Sequence, residues 1–407
     1  MFKLKIQEIL RNLVDKTEEV IINFLKNEYE LESHFETGLN NVKYLHIDYS
    51  IFSSRTSEIV KECRGVVFEY PSFNIARFGF HRFLNYGEGG CEKLNLEWSI
   101  NYDEKVDGSI IILSYMDGIG WVAGTRGRVF PDAKVNEYSI TFPEMFWQTF
   151  PKDSEKLLLK SQFYIFELVG PENRVVVPYN RDVYLLGVVR QIKETEELRE
   201  FEDIHLDNIA ILLNVKRPKH YTFDILEECL DFAKTLPGNF EGFVAKQWDS
   251  VDNRYRRMKI KGQSYIDLHH VVSGKSLSNL VRIVIRRDRS YLSLFPEYLK
   301  AYDEIENILT NYRNELLEFF NKIKAEYEQD LLENEQKVAR KNFAQKAMQK
   351  PYGKVCFSML DGQFKDPWEY FEQGFEKKSV IKGLIAQFNL DQVVGSSWNV
   401  IDDFEVD

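Results

Sequence analysis

At 407 residues, 44% of them hydrophobic, the chain can bury substantial cores in two or three domains, and its 29% charged and 14% aromatic content excludes wholesale disorder. A net charge of −11 repels a polyanion at long range, so any nucleic-acid groove has to rest on local cationic strips. No stretch approaches the roughly eighteen apolar residues of a membrane span, and Cys63, Cys91, Cys229 and Cys356 form no CxxC or regular framework; a cytoplasmic protein with reduced thiols and no membrane partner is expected.

Residues 1–32 read as one or two helices, with Val20, Ile21, Phe24 and Leu25 at helical spacing. From about 43 the pattern changes to short apolar runs: YLHIDYSIF, GVVFEY, SIIILSY, WVAGT, FYIFELV, VYLLGVV, GFVAK and MKIKG, broken by Gly, Asp and Pro. These predict a strand-dominated domain with helices inserted at 143–150 and 222–235. Helical periodicity returns after about 274. Between Pro296 and Pro351 the stripe Ile305, Ile308, Leu309, Tyr312, Leu316, Phe319, Phe320 and Ile323 predicts at least two long helices folded back on one another, then a shorter helical tail. The expected division is 1–272, with its N-terminal helical segment, and an all-helical 273–407. Cations concentrate in RYRRMKIK (254–261) and RIVIRRDR (282–289), and acid in the closing IDDFEVD.

Several residues in the strand-rich part carry chemistry. Lys105, just before an Asp-Gly turn and an apolar strand, is held at the mouth of a sheet. As a nucleophile it must be neutral, which neighbouring cations and desolvation favour by lowering its pKa. Gly108 lets backbone approach a ligand, and Ser109 can hydrogen-bond to it. An ordinary surface lysine before a hairpin fits the same residues. Glu167 sits within the apolar FYIFELVG and Glu241 opens EGFVAK; a carboxylate there needs a cation, a metal or a hydroxyl, and a structural ion pair serves equally. Lys259 and Lys261 share one strand face while Met258 and Ile260 pack on the other, which suits phosphate neutralisation or a solvated face. Arg64, Glu69 and Arg82 offer further phosphate or carboxylate partners.

Taken in order, K-V-D-G-S, F-E-L-V-G, E-G-F-V-A-K and K-I-K resemble the covalent nucleotidyltransferase superfamily of ATP-dependent ligases and mRNA capping enzymes, and within it the bacteriophage T4 RNA ligase 1 family. The likeness covers roughly residues 40–270. It implies an α+β fold: a nucleotidyltransferase (ATP-grasp-like ligase) domain of antiparallel sheets followed by an all-helical domain. It implies that Lys105 is the adenylylated lysine, with Asp107 and Gly108 completing its motif. Glu167 then serves the nucleotide sugar and a metal, Glu241 the metal, and Lys259 and Lys261 the phosphates. Arg64 matches the family's RG-containing strand. Arg82 and Arg126 stand where the family pattern has lysines, which keeps the charge but changes the geometry. Tyr164 or Phe166 would sandwich the adenine, although core packing explains strand aromatics as well.

The mechanism so implied uses ATP and Mg²⁺, with Mn²⁺ as an alternative, to join RNA 5′-phosphate and 3′-hydroxyl ends through lysyl–AMP and RNA-adenylate intermediates. The helical domain would recognise tRNA-like substrate, with a break in a tRNA anticodon loop as one candidate and an end-healing kinase and phosphatase as partners; a dimerisation or partner-binding bundle is the alternative for the 296–351 helices. The competing readings are a DNA ligase, a GTP-using capping enzyme, and a noncatalytic RNA-binding module.

Overall fold

The computed structural model describes residues 1–136, 138–274, 276–287, 289, 295–350, 353–374 and 378–394. The acidic IDDFEVD and Asp288 of the second cationic run lie outside the described residues. The chain divides into two compact units, the first running from Met1 to Tyr265 and the second starting at Ile266.

Two helices, Lys5–Arg11 and Glu18–Tyr29, open the first unit. The second is capped by the Thr17 side chain and stops where Glu30 turns left-handed at φ 56°, so the strand begins at Leu31, slightly earlier than the helical spacing predicts. Thirteen strands follow among the described residues: β1 Leu31–Thr37, β2 Lys43–Tyr49, β3 Arg64–Tyr70, β4 Asn74–Arg77, β5 Asn101–Glu104, β6 Ser109–Met116, β7 Gly120–Gly124, β8 Gln162–Val169, β9 Asp182–Ile192, β10 Glu197–Glu200, β11 His220–Tyr221, β12 Gly242–Asp249 and β13 Arg254–Lys261. They build three antiparallel sheets, ordered β1-β2-β3-β4, β10-β9-β8-β6-β7 and β11-β5-β12-β13.

The five-stranded sheet is buried on both faces, which is why its strands read as continuous apolar runs. Phe163 and Ile165 of β8 join the core of the first sheet and the two N-terminal helices. Tyr164, Phe166 and Leu168 face the opposite way, into a core with Met145, Phe146 and Leu206. Tyr164 and Phe166 are therefore core residues, and the Tyr164 hydroxyl accepts from the Leu159 amide at 2.9 Å. The expected helix near 143–150 is Phe142–Thr149, closed by a Thr141–Glu144 capping box; that near 222–235 is Leu226–Lys234, packed under the third sheet. An additional helix, Asp203–Leu213, escaped the sequence reading because apolar residues surround it, leaving little periodicity to detect.

Every regular element of more than one residue among the described residues of the second unit is a helix. Pro296–Glu333 buries Ile305, Leu309, Leu316 and Ile323 along one stripe. Gln336–Ala347 folds back on it, with Phe343 against Tyr327 and Lys346 paired to Glu326 at 2.7 Å. Shorter helices follow: Lys354–Leu360, Pro367–Gly374, Lys378–Phe388 and Leu390–Val394. The cationic run at 282–289 is engaged within this unit: Arg286 pairs with Asp267, Arg289 with Asp303 and Glu306, and Arg287 lies over Trp368. Among the described residues no helix is long and apolar enough to cross a membrane.

Candidate functional site

Three neighbouring strands of the third sheet deliver the central side chains. β5 stays paired with β12 as far as Glu104 opposite Phe243, and the Lys105 amide then donates to the Gly242 carbonyl at 2.8 Å. Gly242 in turn stands opposite Lys261 of β13. A Cβ at Gly242, which has φ +136°, would come 2.1 Å from the Ile260 carbonyl oxygen, so only glycine lets the strands close here. Register alone therefore sets Lys105, Glu241 and Lys261 side by side. Glu241 Oε1 lies 2.8 Å from Lys105 Nζ and 3.3 Å from Lys261 Nζ.

Electrostatics follow from that triangle. Burial pushes the Glu241 carboxyl up, but Lys105 and Lys261 outweigh it and hold the group below the usual carboxylate range. Burial pushes Lys261 below the ordinary lysine value, with Glu241 opposing. For Lys105 burial also acts downward, yet Glu241 and Glu167 outweigh it, and the ammonium is held above the ordinary lysine value. This reverses the sequence expectation of a lysine depressed by neighbouring cations, because the charges that act on it most strongly are the carboxylates of Glu241 and Glu167. Glu167 is pushed up to about 7 chiefly by burial, with Lys105 and Arg64 opposing and Glu241 adding to the rise.

The turn after Lys105 is fastened from several sides. Asp107 Oδ2 accepts from the Val176 and Val177 amides at 2.9 and 2.7 Å, and its Oδ1 from the Tyr265 hydroxyl at 2.7 Å. The Asp107 carboxylate thus positions backbone. The Gly108 amide donates to Glu167 Oε1 at 3.2 Å, and a Cβ there would sit 2.4 Å from the Leu168 carbonyl oxygen. Ser109 Oγ donates to Asn173 Oδ1 at 2.9 Å, so it braces the turn.

Arginines continue the site across the first sheet. Arg64 starts β3 and lies 5.5 Å from the centre of the Phe83 ring, which Lys259 Nζ approaches at 5.7 Å; burial raises the carboxyls of both Glu167 and Asp48, and the Arg64 charge opposes it in each. Arg82 stacks on Tyr49 at 3.8 Å. Arg126 reaches the same ring at 4.8 Å, donates to the Tyr49 hydroxyl at 2.8 Å and pairs with Asp48 at 2.9 Å. Contacts thus connect Lys105, Glu241 and Lys261, and the Gly108 amide with Glu167; Arg64 reaches Glu167 through its charge and shares the Phe83 ring with Lys259, and Arg82 and Arg126 share Tyr49. Glu69 does not join them; it lies at the far end of β3 from Arg64, where its side chain bonds that of Asn74.

The cationic run 254–261 contributes less charge than its composition suggests. Arg254 pairs with Glu92 at 2.8 Å, Arg256 with Asp249 at 2.7 Å and Arg257 with Glu200 at 2.5 Å. Met258 and Ile260 enter the core beneath, as the alternation predicts. Tyr49 and Asp48 were missed by sequence reasoning; GPENRVVVPY and YIDLHH resemble the family's pattern, but the sequence assigns no role to Asn173, the 176–177 backbone or Tyr265 within them. Tyr49 and Asp48 end a strand that looks like ordinary core, and the others touch the site only through distant chain. Among the described residues no group of three or more His, Cys, Asp or Glu side chains is arranged to hold a metal ion.

Antiparallel sheets that bring a strand-end lysine against paired glutamates and lysines define the class of ATP-dependent nucleotidyl-transferring ligases. Within that class the T4-type RNA ligase family matches residues 62–265, half of the chain, and the chain belongs to it. It is 26% identical over 382 residues to an RNA ligase of Rhodothermus phage RM378, which covers 79% of this chain and 86% of that one. It is 27% identical over 289 residues to a protein of Autographa californica nuclear polyhedrosis virus designated a bifunctional polynucleotide kinase/RNA ligase, spanning 65% of this chain and 40% of that one. An archaeal ATP-dependent RNA ligase (form 1) superposes with a TM-score of 0.41 at 11% identity, over 74% of each chain, too distant to bear on the site. The activity is ATP-dependent RNA ligation.

Proposed function

We propose that the chain joins RNA 5′-phosphate and 3′-hydroxyl ends in three nucleotidyl transfers centred on Lys105. Lys105 Nζ attacks the α-phosphorus of ATP; an N–P bond forms, the bond to pyrophosphate breaks and the amine loses a proton. AMP then passes to the RNA 5′-phosphate, and attack by the 3′-hydroxyl expels it as the phosphodiester forms. The observation that carries this reading is the contact of Glu241 with both Lys105 and Lys261, which concentrates a nucleophilic amine, a carboxylate and a phosphate-binding cation at one sheet mouth.

In this reading Lys259, Lys261, Arg64, Arg82 and Arg126 bind phosphate. Asp107 and Gly108 hold the nucleophile's turn, and Glu167 takes a ribose hydroxyl or the metal. The family's divalent ion, Mg²⁺ or Mn²⁺, fits a pair of carboxylates completed by nucleotide phosphates, and Glu167 and Glu241 would hold it; when bound it neutralises phosphate charge. Incubation with α-labelled ATP, GTP and nicked DNA or RNA tests the reading. Expected are an ATP-specific adduct mapping to Lys105, its loss in Lys105→Ala, and sealing of RNA in preference to DNA. A GTP adduct, or an adduct at another lysine, would sink it.

The finer substrate proposal is a nicked tRNA anticodon loop, with a helical recognition region at 273–407 following the catalytic region 1–272, acting in the cytoplasm. A viral relative's designation pairs ligase with polynucleotide kinase, which supports an end-healing kinase acting beforehand; a phosphatase is proposed alongside it. Sealing of nicked tRNA no faster than of an unstructured RNA of equal length would remove the tRNA assignment.

A further inference from the structure

Two loops beside the site expose aromatic rings that no core requires. The tip after β2 presents Ile51 at 79% and Phe52 at 74% exposure. It is a built turn: Ser50 Oγ and Ser53 Oγ both donate to the Glu30 carbonyl, at 2.7 and 2.6 Å, and Ser50 Oγ accepts from the Phe52 amide at 3.1 Å. This tip follows Tyr49 directly, the residue on which Arg82 and Arg126 stack. The second loop presents Tyr86 at 49% exposure, and the Tyr86 amide donates to the Lys259 carbonyl at 2.8 Å.

The loops are fastened to one another. Arg55 Nη1 lies 4.0 Å from Glu88 Oε2, Glu88 also binds the Asn85 amide and side chain at 3.1 and 2.5 Å, and a Cβ at Gly90 would meet the Arg55 carbonyl oxygen at 2.5 Å. A Cβ at Gly87 or Gly89 would meet nothing within 4 Å, so the ledge around Tyr86 is open. Phe52 and Tyr86 therefore stand on one rim, anchored at one end to the residue that carries Arg82 and Arg126 and at the other to Lys259.

We propose that this rim is the stacking platform for single-stranded RNA next to the joined ends, with Phe52 and Tyr86 each taking a base. Cations at the foot of the rim meet the phosphodiester backbone, while the exposed rings supply flat apolar faces that accept any base. With the backbone under both residues already held by hydrogen bonds, only side-chain freedom is left to lose on binding, which favours affinity. The location of the joined ends rests on the reading of Lys105 as the transfer centre. The platform's contribution to RNA affinity does not.

The test is direct binding of a short 5′-phosphorylated RNA by fluorescence anisotropy, which needs no chemistry. Phe52→Ala and Tyr86→Ala should each weaken the full-length protein's affinity roughly ten-fold, and Phe52→Trp should retain it. In steady-state sealing the RNA KM should rise more than kcat falls. Abasic residues placed one position at a time complete the comparison: the position that costs the parent protein affinity should cost Phe52→Ala nothing further. Unchanged affinity in both alanine variants, or equal losses at every abasic position, overturns the platform. Normal RNA binding with an altered assembly state on size-exclusion chromatography would also overturn it, and would mark the rim as a protein contact. If the adduct maps away from Lys105, the transfer-centre reading falls while the binding comparison keeps its meaning.

Discussion

Glu241 holds Lys105 at 2.8 Å and, by its charge, keeps the ammonium protonated above the ordinary lysine range. Removing that charge should leave burial less opposed and free the amine. In ATP-free protein, Glu241→Gln should therefore raise Lys105 acetylation by acetic anhydride at mildly alkaline pH. The rise should be about ten-fold for each unit by which the pKa falls. Mass spectrometry against the exposed Lys93 provides the scale. The same variant should form the ATP adduct more slowly, because the proposed metal-binding carboxylate is gone. Slower or unchanged acetylation would show that Glu241 does not control the amine.

Gly108 offers a steric test of the turn. An added Cβ would lie 2.4 Å from the Leu168 carbonyl oxygen and 2.8 Å from Val169 Cγ1, so β8 has to move and carry Glu167 away from the Gly108 amide. Gly108→Ala should lose about 1–3 kcal/mol in urea denaturation. Its adduct rate, measured well below the unfolding transition, should fall at least roughly ten-fold if catalysis follows the positions of these groups. Full stability with full adduct formation would mean that the turn relaxes elsewhere.

The strand-rich domain could be read from the sequence because alternating runs mark half-buried strands, and the order of the motifs anticipated the meeting of Lys105, Glu241 and Lys261. What could not be read depends on pairing at long range. The acids that engage Arg254 and Arg257 are Glu92 and Glu200, which no local pattern connects to the cationic run. Tyr265 reaches Asp107 across more than half of the first unit's length. The pKa direction of Lys105 was misjudged for the same reason: composition counts cations nearby in sequence, whereas a charge responds to what is nearest in space.

Arg77 ties the first sheet to the segment carrying Arg126. Fully buried, it donates to the carbonyls of Thr125, Arg128 and Val129 at 3.1, 2.9 and 3.3 Å, while Glu36 accepts the Val129 and Phe130 amides, each at 3.1 Å. Burial pushes its pKa down to about 10, which leaves it charged at neutral pH. Arg77→Met would strand three carbonyls and should cost on the order of 3 kcal/mol or more. Arg77→Lys cannot reproduce the fork and should recover only part. If the clamp works by presenting Arg126, Arg77→Met and Arg126→Ala should raise the ATP requirement of adduct formation similarly, and the double variant should be little worse than either. Additive effects would separate the clamp from nucleotide binding.

Glu62 sets a pH dependence of stability away from the site. It is 4% exposed, and burial pushes its carboxyl up to about 7 although its Oε2 accepts the Ile6 amide at 2.9 Å. The folded state thus binds this proton more tightly than the unfolded chain, whose carboxyl keeps the ordinary value of 4.5. The associated stability is fully present below about 4.5 and is lost as pH rises through about 7, an effect of roughly 3 kcal/mol once complete. Glu62→Gln keeps an acceptor for the Ile6 amide without a titrating proton. Urea unfolding at about pH 5 and pH 8 should show the parent protein losing stability relative to the variant across that interval, with the variant the more stable at the upper value. Because Glu167 titrates in the same direction near the same pH, the informative quantity is the difference between the two proteins. Parallel curves would mean that the Glu62 carboxyl is hydrated in solution and titrates near its ordinary value.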